Sequence, residues 1–305
     1  MNIGAHYGDT LDTCGNYTVI RCQECGFVHV TPIPDERTLF QFYQDEFYQK
    51  AKPDYVQRYE QDRTWWEMHH TQTIQQAAGF LRKNGTAMSV LDVGAGPGIF
   101  LDVARRMHWL TYGVEPSIEL CKAMEARGHK VVCGGLADME LEENSDSFQY
   151  INLYEVLEHV PHPVAFLAKC RDFLVDGGII SIVVPNDYNP LQLEAVRRFN
   201  LPHYWLAPPQ HLNYFNPPDL ITLLQDSGFS ILECRGTFPM EQFILDGYNY
   251  VGNDALGREC HQSRMKYELE VMKAGTWPAL MQTYRNNLAQ NGTGREIAVL
   301  ARKVY

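Results

Sequence analysis

Between residues 86 and 185 short apolar runs alternate with stretches whose apolar positions recur at helical spacing. Ser89–Val93, Thr111–Glu115, Lys130–Cys133, Tyr150–Leu153 and Ile179–Val184 read as strands. Between them Ile118, Cys121 and Met124 fall at i, i+3 and i+6, and Leu167, Cys170 and Leu174 keep a helical rhythm. Gly128 and Gly177 follow these helices where a C-cap is expected. Such alternation predicts an α/β fold, a Rossmann-like doubly wound and mostly parallel sheet.

The flanks read differently. Residues 1–35 are poor in helix formers, with a strand-like Tyr17–Ile20. Residues 36–83 predict two helices, the second with Tyr55, Tyr59, Trp65 and Trp66 ahead of Ile74, Ala78 and Leu81. His69 and His70 fall on a polar face of it and are expected to be solvated. Beyond Pro185 the Pro- and aromatic-rich residues 186–217 predict a lid or pocket wall, not a sheet element. Leu220–Ser227 reads as a helix, Ser230–Arg235 as a strand and Arg295–Val304 as a last strand. The expected organisation is an N-terminal region 1–35, a helical segment 36–83, a core 84–236 with 293–305, and a helical insert 237–292.

Charge narrows the partners. With 26 Lys plus Arg against 37 Asp plus Glu, the 305-residue chain carries −11, which excludes a broad basic footprint for nucleic acid. No apolar run approaches the ~18 residues of a membrane helix. The first residues lack a basic-then-apolar leader, and the 8 Cys are scattered, so a cytoplasmic location is expected.

Candidate chemistry begins at Val93-Gly94-Ala95-Gly96-Pro97-Gly98-Ile99, a glycine turn between a buried strand and a helix. Glycines there let a ligand approach the backbone, and the helix start offers free N–H groups. A dinucleotide fingerprint has G-x-G-x-x-G with an acidic residue about 20 positions on. Glu115 meets the second condition, but Ile99 stands where the last glycine belongs. Asp92, two residues before the turn, would repel a pyrophosphate and suits a ligand bearing an ammonium and a sulfonium.

Here the chain resembles the class I S-adenosylmethionine-dependent methyltransferases, over about residues 86–185. The resemblance implies that Gly94, Gly96 and Gly98 line the methionine part of S-adenosylmethionine and that Glu115 accepts from the ribose hydroxyls. It places the adenine near Leu136 and Ala137, and Asp92, Ala95, Pro116 and Tyr154 complete the expected cofactor set. Gln149 departs from the pattern, since an Asp usually follows the Phe at position 148.

Tyr154-Glu155-Val156-Leu157-Glu158-His159 follows the fourth strand. On a helix, Glu155, Glu158 and His159 would share one face. They could order the helix start, hold a divalent cation, or act on a hydroxyl with His159 as base. The segment is similar to that of ubiquinone-pathway and small-RNA O-methyltransferases, where the resemblance implies a metal, and to that of sugar methyltransferases without one. His203, Tyr204, Trp205, His211, Asn213 and Tyr214 fall within twelve residues, a mixture that suits a sugar or polar ring. His211 with Phe215 resembles an H-x-x-x-F segment near the active site of the same subset, so His211 is a second candidate base.

Cys22 and Cys25, followed by Gly26, look like half of a zinc knuckle. Relatives carry two such pairs, but here Leu11 stands where a partner of Cys14 belongs. Cys14, Cys22 and Cys25 could hold zinc with His6 or Asp12, or be a metal-free remnant. The expected function is methyl transfer to a small polar acceptor, foremost O-methylation of a sugar or nucleotide-linked sugar. A metal-assisted quinone or phenol O-methyltransferase, a sugar C-methyltransferase and a non-catalytic cofactor-binding subunit are the alternatives.

Overall fold

The computed structural model describes residues 6–35, 39, 42–43, 53–81, 87–140, 147–274 and 277–304. The first of the two helices expected over 36–83 falls mostly outside them. Two compact units emerge. One comprises Met1–Ile33, Val183–Leu223 and Glu233–Val299, the other Pro34–Ile182, Leu224–Leu232 and Leu300–Tyr305. These bounds differ from the four regions drawn on the sequence: the N-terminal region shares its unit with residues 183–223 and the whole of the insert 237–292.

The antiparallel sheet of the first unit explains that grouping. Strands β1 (Gly8–Cys14) and β2 (Tyr17–Cys22) form a hairpin, β3 (Val28–Thr31) pairs with β2, and β9 (Asn213–Tyr214) pairs with β3. Asn213 and Tyr214 thus belong to a sheet, where the sequence predicted none. Two residues are too short a run to show alternation, yet Leu212, Tyr214 and Phe215 are buried around them. Residues 190–199 form another element missed, the helix Pro190–Phe199. Asn189 Oδ1 caps it by accepting from the N–H of Leu191 and of Gln192, both at 2.9 Å. Asn-Pro-x-Gln is a helix-start pattern, Pro at N1 included, and its prolines had suggested a loop.

The seven-stranded sheet has the order β10-β11-β8-β7-β4-β5-β6, from β4 (Ser89–Val93), β5 (Leu110–Glu115), β6 (Lys130–Cys133), β7 (Phe148–Tyr154), β8 (Leu174–Pro185), β10 (Phe229–Gly236) and β11 (Glu296–Lys303). Strand β4 lies parallel to β5 and β7, and β5 parallel to β6. All five residues of β4 are buried, as the doubly covered centre of such a sheet requires. Gly128, with φ 84°, donates to Glu125 O at 2.8 Å and closes the Ile118–Ala126 helix. Gly177 does not cap: the preceding helix ends at Phe173, and Gly177 (φ 74°) lies within β8.

In the second unit the helix Arg63–Phe80 buries Trp66, His70, Ile74 and Ala77, one stripe at helical spacing. His70 is therefore in the core and not solvated; its neighbours at i−4 and i+4 fix its face. Ile74 and Ala77 join Val90, Leu101, Met124, Tyr150 and Ile179 in one apolar cluster. Among the described residues no helix is long and apolar enough to cross a membrane.

Candidate active site

Strand β4 ends in the glycine turn, and Gly94, Gly96 and Gly98 have φ of 70°, 52° and 76°. Only glycine adopts such angles without strain. The turn is held by Val114 O, which accepts from the N–H of Gly94 at 2.8 Å and of Ala95 at 3.1 Å. A Cβ on Gly94 would stand 2.7 Å from Val156 Cγ2. Gly98 acts differently. A Cβ there would stand 2.8 Å from Met124 Cγ, so this glycine lets the Ile99–Arg106 helix pack.

Carboxylates surround the turn. Glu115 is buried; its Oε2 accepts from Gly96 N–H and its Oε1 from Ser117 N–H, both at 2.9 Å. A carboxylate oxygen can accept more than one hydrogen bond, which suits Glu115 to ligand hydroxyls as well. Asp92 lies beneath the turn, 4% exposed. Burial raises its carboxyl from 3.8 to about 7, the charge of Glu115 adds to this, and Asn152 opposes it. A buried relay fixes Asp92 in place: Tyr150 Oη and Ser181 Oγ share a hydrogen bond at 2.8 Å, Ser181 donates to Asn152 Oδ1 at 2.7 Å, and Asn152 Nδ2 donates to Asp92 Oδ1 at 2.7 Å.

Aromatic residues cover this ground. Tyr55, Tyr59, Trp66, His70 and Tyr154 line the same pocket as Asp92, Gly94 and Ala95. Tyr55 and Tyr59 lie 4.4 Å apart by ring centroid, Tyr59 stacks on Trp66 at 4.6 Å, and the Tyr55 hydroxyl reaches within 3.6 Å of a Cβ built on Gly96. Burial pushes the Tyr55 hydroxyl well above its usual range despite its hydrogen bond with Tyr59, and the charges of Glu155, Glu115 and Asp92 add to it. Burial lowers His70 to about 3, with His69 adding, so its ring is a neutral wall. Sequence reasoning missed Tyr55, Tyr59, Trp66, His70 and Asn152 as pocket residues. The i, i+4 pairs Tyr55/Tyr59 and Trp66/His70 were the available signal.

An acidic, aromatic-walled pocket beside a glycine cradle fits a cation that also carries hydroxyls. Of the expected cofactor residues, Pro116 follows Glu115, Leu136 is buried in a short 3-10 turn, Leu136–Asp138, and Ala137 is exposed at the same turn.

The 155–159 segment is not the α-helix considered above. Glu155 has φ 52° and is exposed, and only Leu157–His159 makes one 3-10 turn. The three side chains therefore do not share a helix face. Glu158 is buried, 3.7 Å from His159 Nε2, and the Tyr43 ring lies edge-on to His159 at 5.6 Å.

His203, Tyr204, Trp205, His211, Asn213 and Tyr214 all belong to the first unit. Asp12 Oδ2 binds His203 Nδ1 at 2.8 Å and accepts from the Tyr188 hydroxyl at 2.6 Å; His203 stacks on Trp205 at 4.6 Å. Asp12 is thus committed to this aromatic group and does not join the thiols. Trp205, Asn213 and Tyr214 are buried, and Tyr214 donates to His211 O at 3.2 Å. Cys22 and Cys25 come together with His6 and His29, whereas Cys14 stays outside that group at the end of β1. Burial, then the neighbouring Cys22, pushes the Cys25 thiol up to about 12. His29 was not foreseen.

A methyltransferase domain model matches residues 66–234. The chain belongs to the methyltransferase domain family. This S-adenosylmethionine-dependent methyltransferase is 23% identical over 194 residues to a protein named ubiquinone biosynthesis O-methyltransferase from Shewanella sp. (strain ANA-3), a match covering 57% of this chain and 80% of that one. A protein of the same name from Xanthomonas axonopodis pv. citri (strain 306) is 27% identical over 128 residues, covering 37% of this chain and 53% of that one. The chain thus spans about half the length of the second relative. In fold the methyltransferase is similar to the plantazolicin methyltransferase BamL, solved with a desmethylated plantazolicin analogue and S-adenosylhomocysteine. The TM-score is 0.52 at 14% identity, covering 88% of this chain and 96% of that one.

Proposed function

We propose that this methyltransferase methylates a hydroxyl of a small polar acceptor, a sugar or nucleotide-linked sugar. The observation that carries the cofactor half is the buried pair Asp92 and Glu115 around a glycine turn that admits no Cβ at Gly94. Gly94, Ala95 and Gly96 would face the amino-acid part of S-adenosylmethionine, with Asp92 and Tyr154 beside its cationic centre. Glu115 and Pro116 would hold the ribose, and Leu136 and Ala137 the adenine. Gly98 serves the loop indirectly, through helix packing.

When bound, the cofactor would supply an activated methyl carbon with a neutral thioether as its leaving group. The protein has to align the acceptor, exclude water and take one proton. Tyr55, Tyr59 and Trp66 keep water from the turn. His159 would take the acceptor proton, with the buried Glu158 carboxylate 3.7 Å away to stabilise the imidazolium. His211 is the second candidate base, and Glu155 the remaining carboxylate.

The sugar reading is supported by a cavity of about 280 Å³ in the first unit. Its wall includes Asn186, Asp187, Tyr188, Asn189, Tyr214 and Asn216, and amides, phenols and a carboxyl group are the kinds of group that bind a polyol. Among the expected acceptor residues Tyr214 lines it, while His203, Tyr204 and Trp205 form the aromatic group beside Asp12. The names of the curated relatives favour a second reading, a quinone or phenol acceptor; in that reading a divalent cation would sit at Glu158 and His159. Turnover of labelled S-adenosylmethionine against panels of nucleotide sugars and of catechols, with and without EDTA, separates the two. Methyl ethers of sugars formed in EDTA support the proposal. Exclusive, EDTA-sensitive methylation of catechols would overturn it, and so would exchange of an acceptor C–H for deuterium, which marks C-methylation.

A further inference from the structure

The turn after β2 folds two sulfurs towards one point. Cys25 N–H donates to Cys22 Sγ at 3.4 Å, Gly26 N–H donates to Cys22 O at 3.0 Å, and Gly26 takes φ 77°. His6, just before β1, sets its Nδ1 at 3.3 Å from Cys25 Sγ and 3.6 Å from Cys22 Sγ. His29 on β3 meets the His6 ring edge-on, with centroids 4.8 Å apart. One donor atom from each of the four residues lies within 4.8 Å of the other three. Tetrahedral zinc, with bonds of about 2.3 Å to sulfur and 2.0–2.1 Å to nitrogen, implies sulfur–nitrogen separations of roughly 3.6 Å. The two sulfur–nitrogen distances to His6 are already close to this value.

His29 supplies the independent observation. It is 1% exposed, and its Nδ1 lies 2.8 Å from Val30 O. A carbonyl oxygen only accepts, so Nδ1 carries the proton and Nε2 is left as a bare lone pair. That Nε2 is buried and has no hydrogen-bond partner. A buried acceptor without a partner loses its hydration and regains nothing. Zinc-bound histidines have this arrangement, one nitrogen donating to a carbonyl and the other on the metal.

We propose that His6, Cys22, Cys25 and His29 hold one structural zinc ion in a closed Cys2His2 site, with Cys14 outside it. Two thiolates balance the charge of Zn²⁺, and a tetrahedral S2N2 set selects it over harder cations. Four protein ligands leave no open position, so the ion's work is structural. It ties the residue preceding β1 to the β2–β3 turn and to β3, the strand that carries β9. The inference stands whether or not the acceptor is a sugar.

Elemental analysis of the full chain, purified under reducing conditions without added chelator, should find one zinc per chain. Cys14→Ser should keep it, and Cys22→Ser or His29→Ala should lose it on dialysis. Should those two variants fail to fold, the wild-type chain reloaded with cobalt(II) decides. The site predicts the intense visible bands of tetrahedral cobalt with charge transfer matching two thiolates. Wild-type protein without zinc above trace, zinc retained by folded His29→Ala, zinc lost from Cys14→Ser, or a cobalt spectrum of three thiolates or octahedral geometry would each overturn the site.

Discussion

Asp92→Asn should stabilise the cofactor-free protein, and by an amount that grows with pH. Asp92 is buried at the second-last position of β4 with one neutral donor, Asn152, at 2.7 Å. Its carboxyl rises from 3.8 to about 7 on folding, mainly through burial. Between those values the folded chain holds a proton that the unfolded chain has released. Wild-type stability should therefore fall by about 1.4 kcal/mol per pH unit across that window and level off above it. The shift of about three units sets a ceiling of ~4 kcal/mol at pH 8, present in full only if nothing relaxes. Asparagine carries no charge, and its Oδ1 can still accept from Asn152. Urea unfolding of both proteins across that range gives the difference directly, because other titrating groups cancel. The variant should match the wild type near the lower end and exceed it by a few kcal/mol above the upper end. A difference that stays flat, or that favours the wild type as pH rises, would mean that burial does not hold a proton on Asp92. A buried carboxylate that weakens the free protein is expected where a cation is to bind. Accordingly, wild-type affinity for S-adenosylmethionine should rise with pH through about 7, and the variant should lose that dependence.

Two further outcomes are expected. His159→Ala, or His211→Ala if that residue is the base, should lower turnover by about 10²–10⁴ with cofactor affinity unchanged; initial rates and calorimetry together check this. If both variants keep more than about a third of wild-type turnover, far short of a base's usual effect, neither imidazole takes the proton. Asp12→Ala removes the acceptor shared by His203 and Tyr188 and should cost about 1–3 kcal/mol in denaturant unfolding, with Trp205 emission as reporter; an unchanged midpoint would show that the pair contributes nothing.

The centre of the sheet was legible in the sequence because local and tertiary demands agree there. Strands β4 and β6 have the bounds predicted, and the glycine turn needs positive φ at each glycine the pattern contains. What escaped lay where tertiary context overrides local character. His70 is polar by name and buried by position, four residues from both Trp66 and Ile74. The helix Pro190–Phe199 hides behind prolines, one of which starts it. Strand β9 is two residues long and exists because β3 pairs with it. Cys14 looked like a partner for Cys22 and Cys25, but the hairpin carries it away and brings His6 and His29 instead. At 155–159 the residue types were readable and their conformation was not, since Glu155 takes a left-handed backbone that no propensity favours.

Binding of the cofactor by the glycine turn and its carboxylates is read directly by calorimetry with S-adenosylhomocysteine. Wild-type protein should bind one equivalent per chain. Glu115→Ala removes the oxygens that hold the turn and that are proposed to receive the ribose, and Gly94→Val drives a branched side chain towards Val156, where the ligand is proposed to approach. Each should weaken binding by roughly 1.5–3 kcal/mol, about ten- to a hundred-fold, while circular dichroism shows the fold retained. Unchanged affinity in both folded variants would mean that the cofactor does not bind at the glycine turn.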